Sequence, residues 1–579
     1  MTRIAVIRKE DCHPDKCGNY LCARLCPVNR TGTECIVKQD DKAFIHEDLC
    51  TGCGICPKRC PFGAITIINL PEELASPIHR FGPNGFALYS LPMPVEGKVA
   101  GIIGRNALGK STAIKVLAGL IKPNLGTDKE TGHDELISFF KGTQTQAFLE
   151  QVRDGKVAIS FKPQQVDMIP KSYKGTVGAL LAKVVEPVAK AETIAALSLG
   201  HLLEHDIATL SGGELQRVAI AAACIRPAQL YILDEPTSYL DIRQRILLSR
   251  FMEQLSQRAS VILIEHDLII LDYLADQVQI MYGREGAYGV VSRTRPVRTG
   301  INVYLSGYLK EENIRFRDQP IKFSEHPPTA TKAKQHLVSW EGIKAQRGDF
   351  LLDAPAGQLP KGFACGVLGE NGTGKTTFVK ILAGVDKQDS GTIDASIKVA
   401  YKPQYLTVEE DTLVLAVLPG IASKRALMTG LNLEPLLQKQ LSWLSGGELQ
   451  RVALARCLSQ DAGLFLLDEP SAYLDIEQRL GLAKLIKELT SVEGKTVLVV
   501  DHDLLFLDAI SDFMMVFSGE PGTRGVVGAP VPLEDAMNTF LRSLGITMRR
   551  DEDSKRPRIN KLDSRKDREQ KASGKLYYG

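Results

Sequence analysis

No long hydrophobic run occurs in this chain of 579 residues: the longest uninterrupted apolar stretch, Val218 to Ile225, has eight. A bilayer-spanning helix needs about 18 or more, so no segment is expected to cross a membrane. The opening residues, MTRIAVIRKEDC, hold no apolar signal-peptide core, and export is not expected either. An excess of one charge is missing as well. Lys and Arg number 71 against 68 Asp and Glu, a net +3, which excludes a histone-like polycation and leaves local basic patches open. Cysteine is scarce over most of the length, with only Cys224, Cys365 and Cys457 in the last 519 residues, and the other nine stand within the first 60. Without export no oxidising compartment is available for disulfides, so clustered cysteines point to bound metal. The remaining composition, 44% hydrophobic and 24% charged, is that of a globular protein, and the length predicts about four domains.

Cys50, Cys53, Cys56 and Cys60 form C-x2-C-x2-C-x3-C followed by Pro61. This is the bacterial ferredoxin run, in which three close thiolates hold one cluster and the fourth ligates another. Cys12, Cys17, Cys22 and Cys26 form a looser C-x4-C-x4-C-x3-C ahead of Pro27. Exchanging the fourth ligands gives Cys12, Cys17, Cys22 and Cys60 for one 4Fe–4S cluster and Cys50, Cys53, Cys56 and Cys26 for a second. Cys35 is then left over as a buried bystander. Zinc competes as the metal, but its ligand pairs usually lie about 12 or more residues apart. Residues 1–70 bury little core by themselves, so stapling the fold is the default role of the clusters, with electron carriage as the alternative.

The rest of the chain repeats itself. Gly104-Arg-Asn106-Ala-Leu-Gly109-Lys110-Ser111-Thr112 matches G-x4-G-K-S/T, and so does Gly369-Glu-Asn371-Gly372-Thr-Gly374-Lys375-Thr376-Thr377. Each follows a strand-like apolar segment and precedes a helix-like one, the context in which backbone N–H groups and a helix N-terminus meet phosphates. The lysines reach the β- and γ-oxygens, and Ser111 and Thr376 offer a hydroxyl to Mg²⁺. A second set recurs in the same order. Leu-Ser211-Gly-Gly213-Glu-Leu-Gln-Arg returns as Leu-Ser445-Gly-Gly447-Glu-Leu-Gln-Arg, then Asp234-Glu235-Pro as Asp468-Glu469-Pro, and His266 as His502. From Ser211 to Asp234 and from Ser445 to Asp468 the spacing is 23 in both copies.

These residues resemble the ATP-binding cassette superfamily. The resemblance implies an α/β fold of two P-loop nucleotide-binding domains in tandem behind a ferredoxin-like α+β head. Asp234 and Asp468 are expected to hold Mg²⁺ through water, Glu235 and Glu469 to orient or deprotonate the attacking water, and His266 and His502 to contact the γ-phosphate. Gln164 and Gln404, each in Lys-Pro-Gln, match the superfamily's glutamine loop near Mg²⁺. In the superfamily the signature turn faces the other cassette's nucleotide, which implies crossed sites: Lys110 with Ser445, and Lys375 with Ser211. Phe81 stands where the superfamily often places an adenine-stacking aromatic, with Phe86 and Tyr89 as rivals; Trp340 and Phe350 are the candidates in the second half. Cys224 and Cys457 read as small core residues. The first P-loop has Ala107 where the second has Gly372, and the expectation is that this position does not need a positive φ.

The expected domains are a head at 1–75, a first cassette at 76–292, a basic hinge at 293–334, a second cassette at 335–520, and a C-terminal hinge and tail at 521–579. The first cassette carries about 25 extra residues. They fall within 124–157, where DELISFF and TQAFLEQV suggest a helix–loop–helix. Arg293 to Lys334 holds nine Lys/Arg against four Asp/Glu, and Arg549 to Gly579 eleven against six. Such runs are usually solvated but also suit RNA phosphates, and the Leu-Tyr-Tyr-Gly end hints that the tail docks. Together the head, fused cassettes and single insertion resemble subfamily E of the cassette proteins, the ribosome-recycling or RNase L inhibitor family. That resemblance implies ATP-driven splitting of ribosomes in the cytoplasm after termination or stalling. The implied partners are the small subunit with its RNA, a release factor or Pelota-type factor, and initiation factors. A monomer with paired cassettes and no membrane partner is expected. The rival reading is an iron–sulfur ATPase acting on another RNA–protein complex or in redox sensing.

Overall fold

The computed structural model describes residues 3–69, 76–127, 129–182, 187–323, 335–394, 397–404 and 412–578, so the expected boundaries near 75 and 334 lie outside the described residues. Two compact units result, one of Met1–Ser238, Arg250–His266 and Leu274–Pro320, the other of Tyr239–Ser249, Asp267–Tyr273 and Ile321–Gly579. Among the described residues no helix is long and apolar enough to cross a membrane.

In the first unit the head closes on itself through its two ends. Arg3–Ile7 pairs antiparallel with Ile65–Asn69, Arg3 opposite Asn69. A second hairpin pairs Ile36–Gln39 with Lys42–Ile45, and two short helices, Leu21–Leu25 and Ile55–Arg59, carry cysteines. The head's core is small: Cys12, Cys26, Cys35, Cys50 and Cys56 share it with Ala5, Ile7, Ile36, Ala43, Ile45, Ala64 and Ile65. Asn84 stitches the head to the first cassette. Its Oδ1 accepts from the Ile45 N–H at 2.7 Å, its Nδ2 donates to the Ile45 carbonyl at 3.0 Å, and its own carbonyl accepts from the Ile7 N–H at 2.7 Å. Beside it, Arg80 donates to Glu47 Oε2 at 3.0 Å.

The first cassette is built on a mixed sheet. Its parallel part runs Gln277–Arg284, Val99–Ile103, Ser260–Ile264, Leu230–Asp234, Ile159–Lys162. Strands buried on both faces read as unbroken apolar runs, and Val99–Ile103 and Leu230–Asp234 are buried at every position. The extra residues form helices His133–Phe139 and Gln144–Arg153, the second capped by Thr143 accepting from the Gln146 N–H. They lie on the cassette's own core, with Leu136, Ile137, Phe148 and Leu149 buried beside Ile114 and Leu117.

The second unit repeats the plan with parallel strands Phe513–Glu520, Ala364–Leu368, Thr496–Val500, Leu464–Asp468 and Val399–Lys402. The C-terminal segment is not a solvated tail. Tyr577 and Tyr578 both donate to Asp508, Tyr578 at 2.9 Å, and Tyr577 is only 3% exposed. Part of the basic run is consumed inside the protein, because Arg558 pairs with Asp551 at 3.1 Å and Arg556 is fully buried.

Candidate functional site

Each P-loop connects a buried strand to a helix. Val99–Ile103 leads through Gly104–Gly109 to helix Lys110–Leu117, and Ala364–Leu368 leads through Gly369–Gly374 to Lys375–Leu382. Gly109 and Gly374 cap these helices at φ 84 and 86. A Cβ on Gly109 would lie 2.5 Å from the Phe86 ring and one on Gly374 2.8 Å from Phe350, so both positions require glycine. The two lysines fold back over their loops in the same way. Lys110 Nζ donates to the carbonyls of Gly104 and Arg105 at 2.9 and 2.7 Å, and Lys375 Nζ to those of Gly369 and Glu370 at 2.9 and 2.7 Å. Burial pushes the Lys375 ammonium down to about 8.

Ala107 departs from expectation. Its φ is 57, in the left-handed region where Gly372 also sits at φ 76, so the first loop carries strain that the second avoids. Loop closure demands this conformation in both copies, and the side chain of Ala107 makes it costly. Ala107→Gly is expected to raise stability by about 0.5–1 kcal/mol. The urea midpoint should rise at unchanged slope; a lower midpoint would mean that no strain is relieved there.

The Asp–Glu pairs sit where the next strand ends. Asp234 is 1% and Asp468 0% exposed, and among the described residues no carboxylate oxygen of either has a partner in hydrogen-bond geometry. Burial raises both carboxyls, while the neighbouring hydroxyls, Ser111 for Asp234 and Thr376 for Asp468, pull them down. Buried, unpartnered oxygens beside a hydroxyl suit a hard dication, so these residues fit Mg²⁺. Glu235 and Glu469 adopt φ 46 and 47. Gln164 Nε2 donates to Glu235 Oε1 and Gln404 Nε2 to Glu469 Oε1, both at 2.8 Å, so each glutamine grips the glutamate and keeps its own oxygen for a metal. His266 Nε2 stands 3.5 Å and His502 Nε2 3.8 Å from the same oxygens.

Electrostatics separate the two copies. Burial raises the Glu235 carboxyl, but the nearby His266, with Lys110 and the hydrogen bond from Gln164, outweighs it and holds it at about 2. Burial, followed by the charges of Asp501 and Asp468, pushes Glu469 up to about 7. His502, buried near Lys375 and Arg245, stays neutral well below the usual histidine range.

Ser211 and Ser445 cap helices Gly212–Cys224 and Gly446–Leu458 through complete capping boxes. Their hydroxyls donate to Glu214 and Glu448 at 2.7 and 3.0 Å, so offering them to a phosphate means releasing that glutamate. Gly213 and Gly447 lie in the first turns of these helices. Sequence reasoning passed over the signature glutamines. Gln216 Nε2 donates to the Glu235 carbonyl at 2.8 Å and Gln450 Nε2 to that of Glu469 at 2.9 Å; their recurrence in both signature motifs was the available signal.

Among the aromatic candidates, Phe81 is 49% exposed, with His79 edge-on at 4.6 Å. Phe86 and Phe350 lie under the P-loop glycines, and Tyr89 is buried beside Tyr288. Trp340 is excluded as a stacking residue, since it is 2% exposed, packs edge-on to Phe378 and lies over Gly357. Cys224 and Cys457 are core residues at 1% and 2% exposure.

In the head, burial and the nearby Cys12, Cys17 and Cys60 push Cys22 up to about 11, and burial with Cys50, Cys22 and Cys53 pushes Cys56 to about 12. Cys35 is buried, its thiol donates to the His46 carbonyl at 3.8 Å, and burial with the nearby Cys26 and Cys50 raises it to about 12. Among the described residues no three His, Cys, Asp or Glu converge on a single-ion site. Crowded, largely buried thiols on short helices and loops fit a polynuclear iron centre, whose irons take thiolate ligands.

Comparison with known families agrees with this geometry. The "ABC transporter" model matches 94–238 and 352–472, the "Possible Fer4-like domain in RNase L inhibitor, RLI" 2–34, and the "4Fe-4S binding domain" 43–66. An uncharacterized ABC transporter ATP-binding protein of Methanocaldococcus jannaschii is 48% identical, covering 100% of this chain and 97% of its own. Among solved structures, the ABCE1 in a model of ribosome-bound archaeal Pelota and ABCE1 superposes with TM-score 0.93 at 46% identity, over 100% of this chain and 99% of that one. An archaeal ribosome recycling factor, aABCE1, in complex with the stalk protein aP1, gives 0.82 at 46% over 87% and 99%. With two full sets of cassette motifs and this identity across its length, the chain is an ATPase with a 4Fe–4S-binding head and belongs to subfamily E of the ATP-binding cassette proteins, the ABCE1 or RNase L inhibitor family.

Proposed function

We propose that this chain is a cytoplasmic, ATP-driven ribosome recycling factor, which splits ribosomes into subunits after termination or stalling and stays on the small subunit until ATP is hydrolysed. The solved relatives are named for a ribosome with Pelota and for a stalk protein, and the reading carries those partners to this chain. The observation that carries it is the fastening of the head to the first cassette by Asn84 and the Arg80–Glu47 pair, which gives nucleotide-driven motion a rigid arm to move.

In this reading the head holds two 4Fe–4S clusters, one on Cys12, Cys17, Cys22 and Cys60, the other on Cys50, Cys53, Cys56 and Cys26. The clusters supply the cross-links that a core of this size lacks. Asn106, Gly109, Lys110, Ser111 and Thr112 cradle one nucleotide, and Asn371, Gly372, Gly374, Lys375, Thr376 and Thr377 the other. Ser445 and Gly447 complete the first site, Ser211 and Gly213 the second, and Phe81 stacks on adenine. Ser111 with Asp234 and Gln164, and Thr376 with Asp468 and Gln404, would hold the Mg²⁺, which shields the phosphate charge when bound. Glu235 and Glu469 accept the proton of the attacking water, while His266 and His502 steady the γ-phosphate.

A gradient assay tests the proposal: ribosomes, a release or Pelota-type factor, ATP and this protein should yield separated subunits, and intact ribosomes throughout would refute it. The two sites should also differ in pH response. A general base works ionised, so a carboxyl at about 7 loses activity as pH falls through neutrality, whereas one at about 2 does not. With Glu235→Gln, the remaining kcat/KM, which reports the free enzyme, should rise through about pH 7. With Glu469→Gln it should be flat there, and parallel profiles would contradict the asymmetry.

A further inference from the structure

Each cassette buries a lysine that the motifs and the scheme above leave unused. Lys162 ends strand Ile159–Lys162 at 0% exposure, and Lys402 ends Val399–Lys402 at 1%. A buried ammonium is costly unless oxygens surround it, and here the oxygens come from one place. Lys162 Nζ donates to the main-chain carbonyls of Asp234 and Glu235 at 3.0 and 3.5 Å. Lys402 Nζ donates to those of Asp468 and Glu469 at 2.8 and 3.2 Å. These are the carbonyls on either side of the glutamate's Cα-forming turn, where the chain leaves its strand and enters the left-handed region at φ 46 and 47.

A residue with a Cβ holds such a conformation at a cost of roughly 1–3 kcal/mol, and only where neighbours over-determine it. The same strand end supplies two of those neighbours. Lys162 takes the glutamate's main chain while Gln164, two positions on, takes its Oε1 at 2.8 Å; Lys402 and Gln404 repeat the arrangement. Two copies with the same partners make a chance packing contact a poor account.

We propose that Lys162 and Lys402 are positioning residues for ATP hydrolysis, each pinning the two carbonyls that set the strained turn of the catalytic glutamate, so that its carboxylate faces the attacking water. The proposal rests on Glu235 and Glu469 being the catalytic carboxylates. The amides of Gln216 and Gln450 also donate to the Glu235 and Glu469 carbonyls, but each lysine additionally takes the preceding aspartate carbonyl, and its charge balances the adjacent carboxylates.

The test is steady-state ATP hydrolysis by the full-length protein carrying Lys162→Met with Lys402→Met, beside Lys→Arg at both positions and Glu→Gln at both glutamates. Methionine keeps the stem and removes the ammonium. The Met pair should lose about 30-fold or more in kcat with KM for ATP within about threefold, and the Arg pair should recover at least about fivefold of that loss. A purely structural lysine would lower the melting temperature and leave kcat per folded molecule unchanged. Wild-type kcat in the Met pair, or a raised KM at normal kcat, overturns the proposal. Should the Met pair prove insoluble, Lys→Gln at both positions is read by the same criteria. Normal hydrolysis by the Glu→Gln pair would instead refute the glutamates themselves, so the two failures are separable.

Discussion

Replacing both Glu235 and Glu469 by glutamine should leave a protein that binds ATP and hydrolyses it about 10²–10⁴-fold more slowly, the range that a general base contributes. The amide keeps the shape of each site. It can still meet Gln164 or Gln404, which stand 2.8 Å from the carboxylates, but it cannot accept the proton of water. Nucleotide affinity should survive because Lys110 and Lys375 and their loops are untouched. Quenched-flow or phosphate-release assays would read the rate, and filter binding the retained nucleotide. Hydrolysis at the wild-type rate would sink the assignment. The single variants should be unequal, because Glu235 is held at about 2 by His266 while Glu469 is pushed to about 7 by burial and Asp501.

The second large effect is expected in the head. Cys53 is exposed, unlike Cys12, Cys26, Cys50 and Cys56, so Cys53→Ser removes a proposed cluster ligand without opening a hole in the protein core. If two four-iron clusters are bound, anaerobically purified wild type carries about eight iron and Cys53→Ser about four. With so few apolar side chains behind it, the head should loosen when a cluster goes. ATP hydrolysis should persist, since the P-loops, glutamines and glutamates lie in the cassettes, but ribosome splitting should be lost. Cys35→Ser should leave the iron count unchanged, although its thiol shares the small core of the head with Cys26 and Cys50. Full iron in Cys53→Ser, or normal splitting by the iron-depleted protein, would contradict the arm model.

The P-loops, signature turns and Asp–Glu pairs were legible without coordinates because their geometry is local. A glycine-rich turn between an apolar strand and a helix makes its own anion cradle within a few residues, and Ser-Gly-Gly-Glu makes its own capping box. The repeat, the cysteine spacing and the paired amphipathic stretches within 124–157 are periodic or short-range signals of the same kind. The adenine-stacking aromatic was not legible. Phe81 has Phe86 and Tyr89 as rivals in the first copy, Trp340 and Phe350 compete in the second, and it is burial that sets the exposed Phe81 apart from its buried rival Tyr89 and puts Trp340 in the core.

The sequence by itself therefore determined which chemistry the chain carries: two ATP sites, an iron–sulfur head and their order. Tertiary structure decided what depends on residues brought together from far apart in the chain. Lys162 meets the Asp234 carbonyl across 72 positions, and Tyr577 meets Asp508 across 69. Ala107 is strained because the loop around it must close, and the basic C-terminal run turns inward because buried aspartates await its arginines. Spacing encodes what neighbours along the chain can do, whereas burial, strain and the ionisation of each glutamate arise only when the surrounding elements have packed.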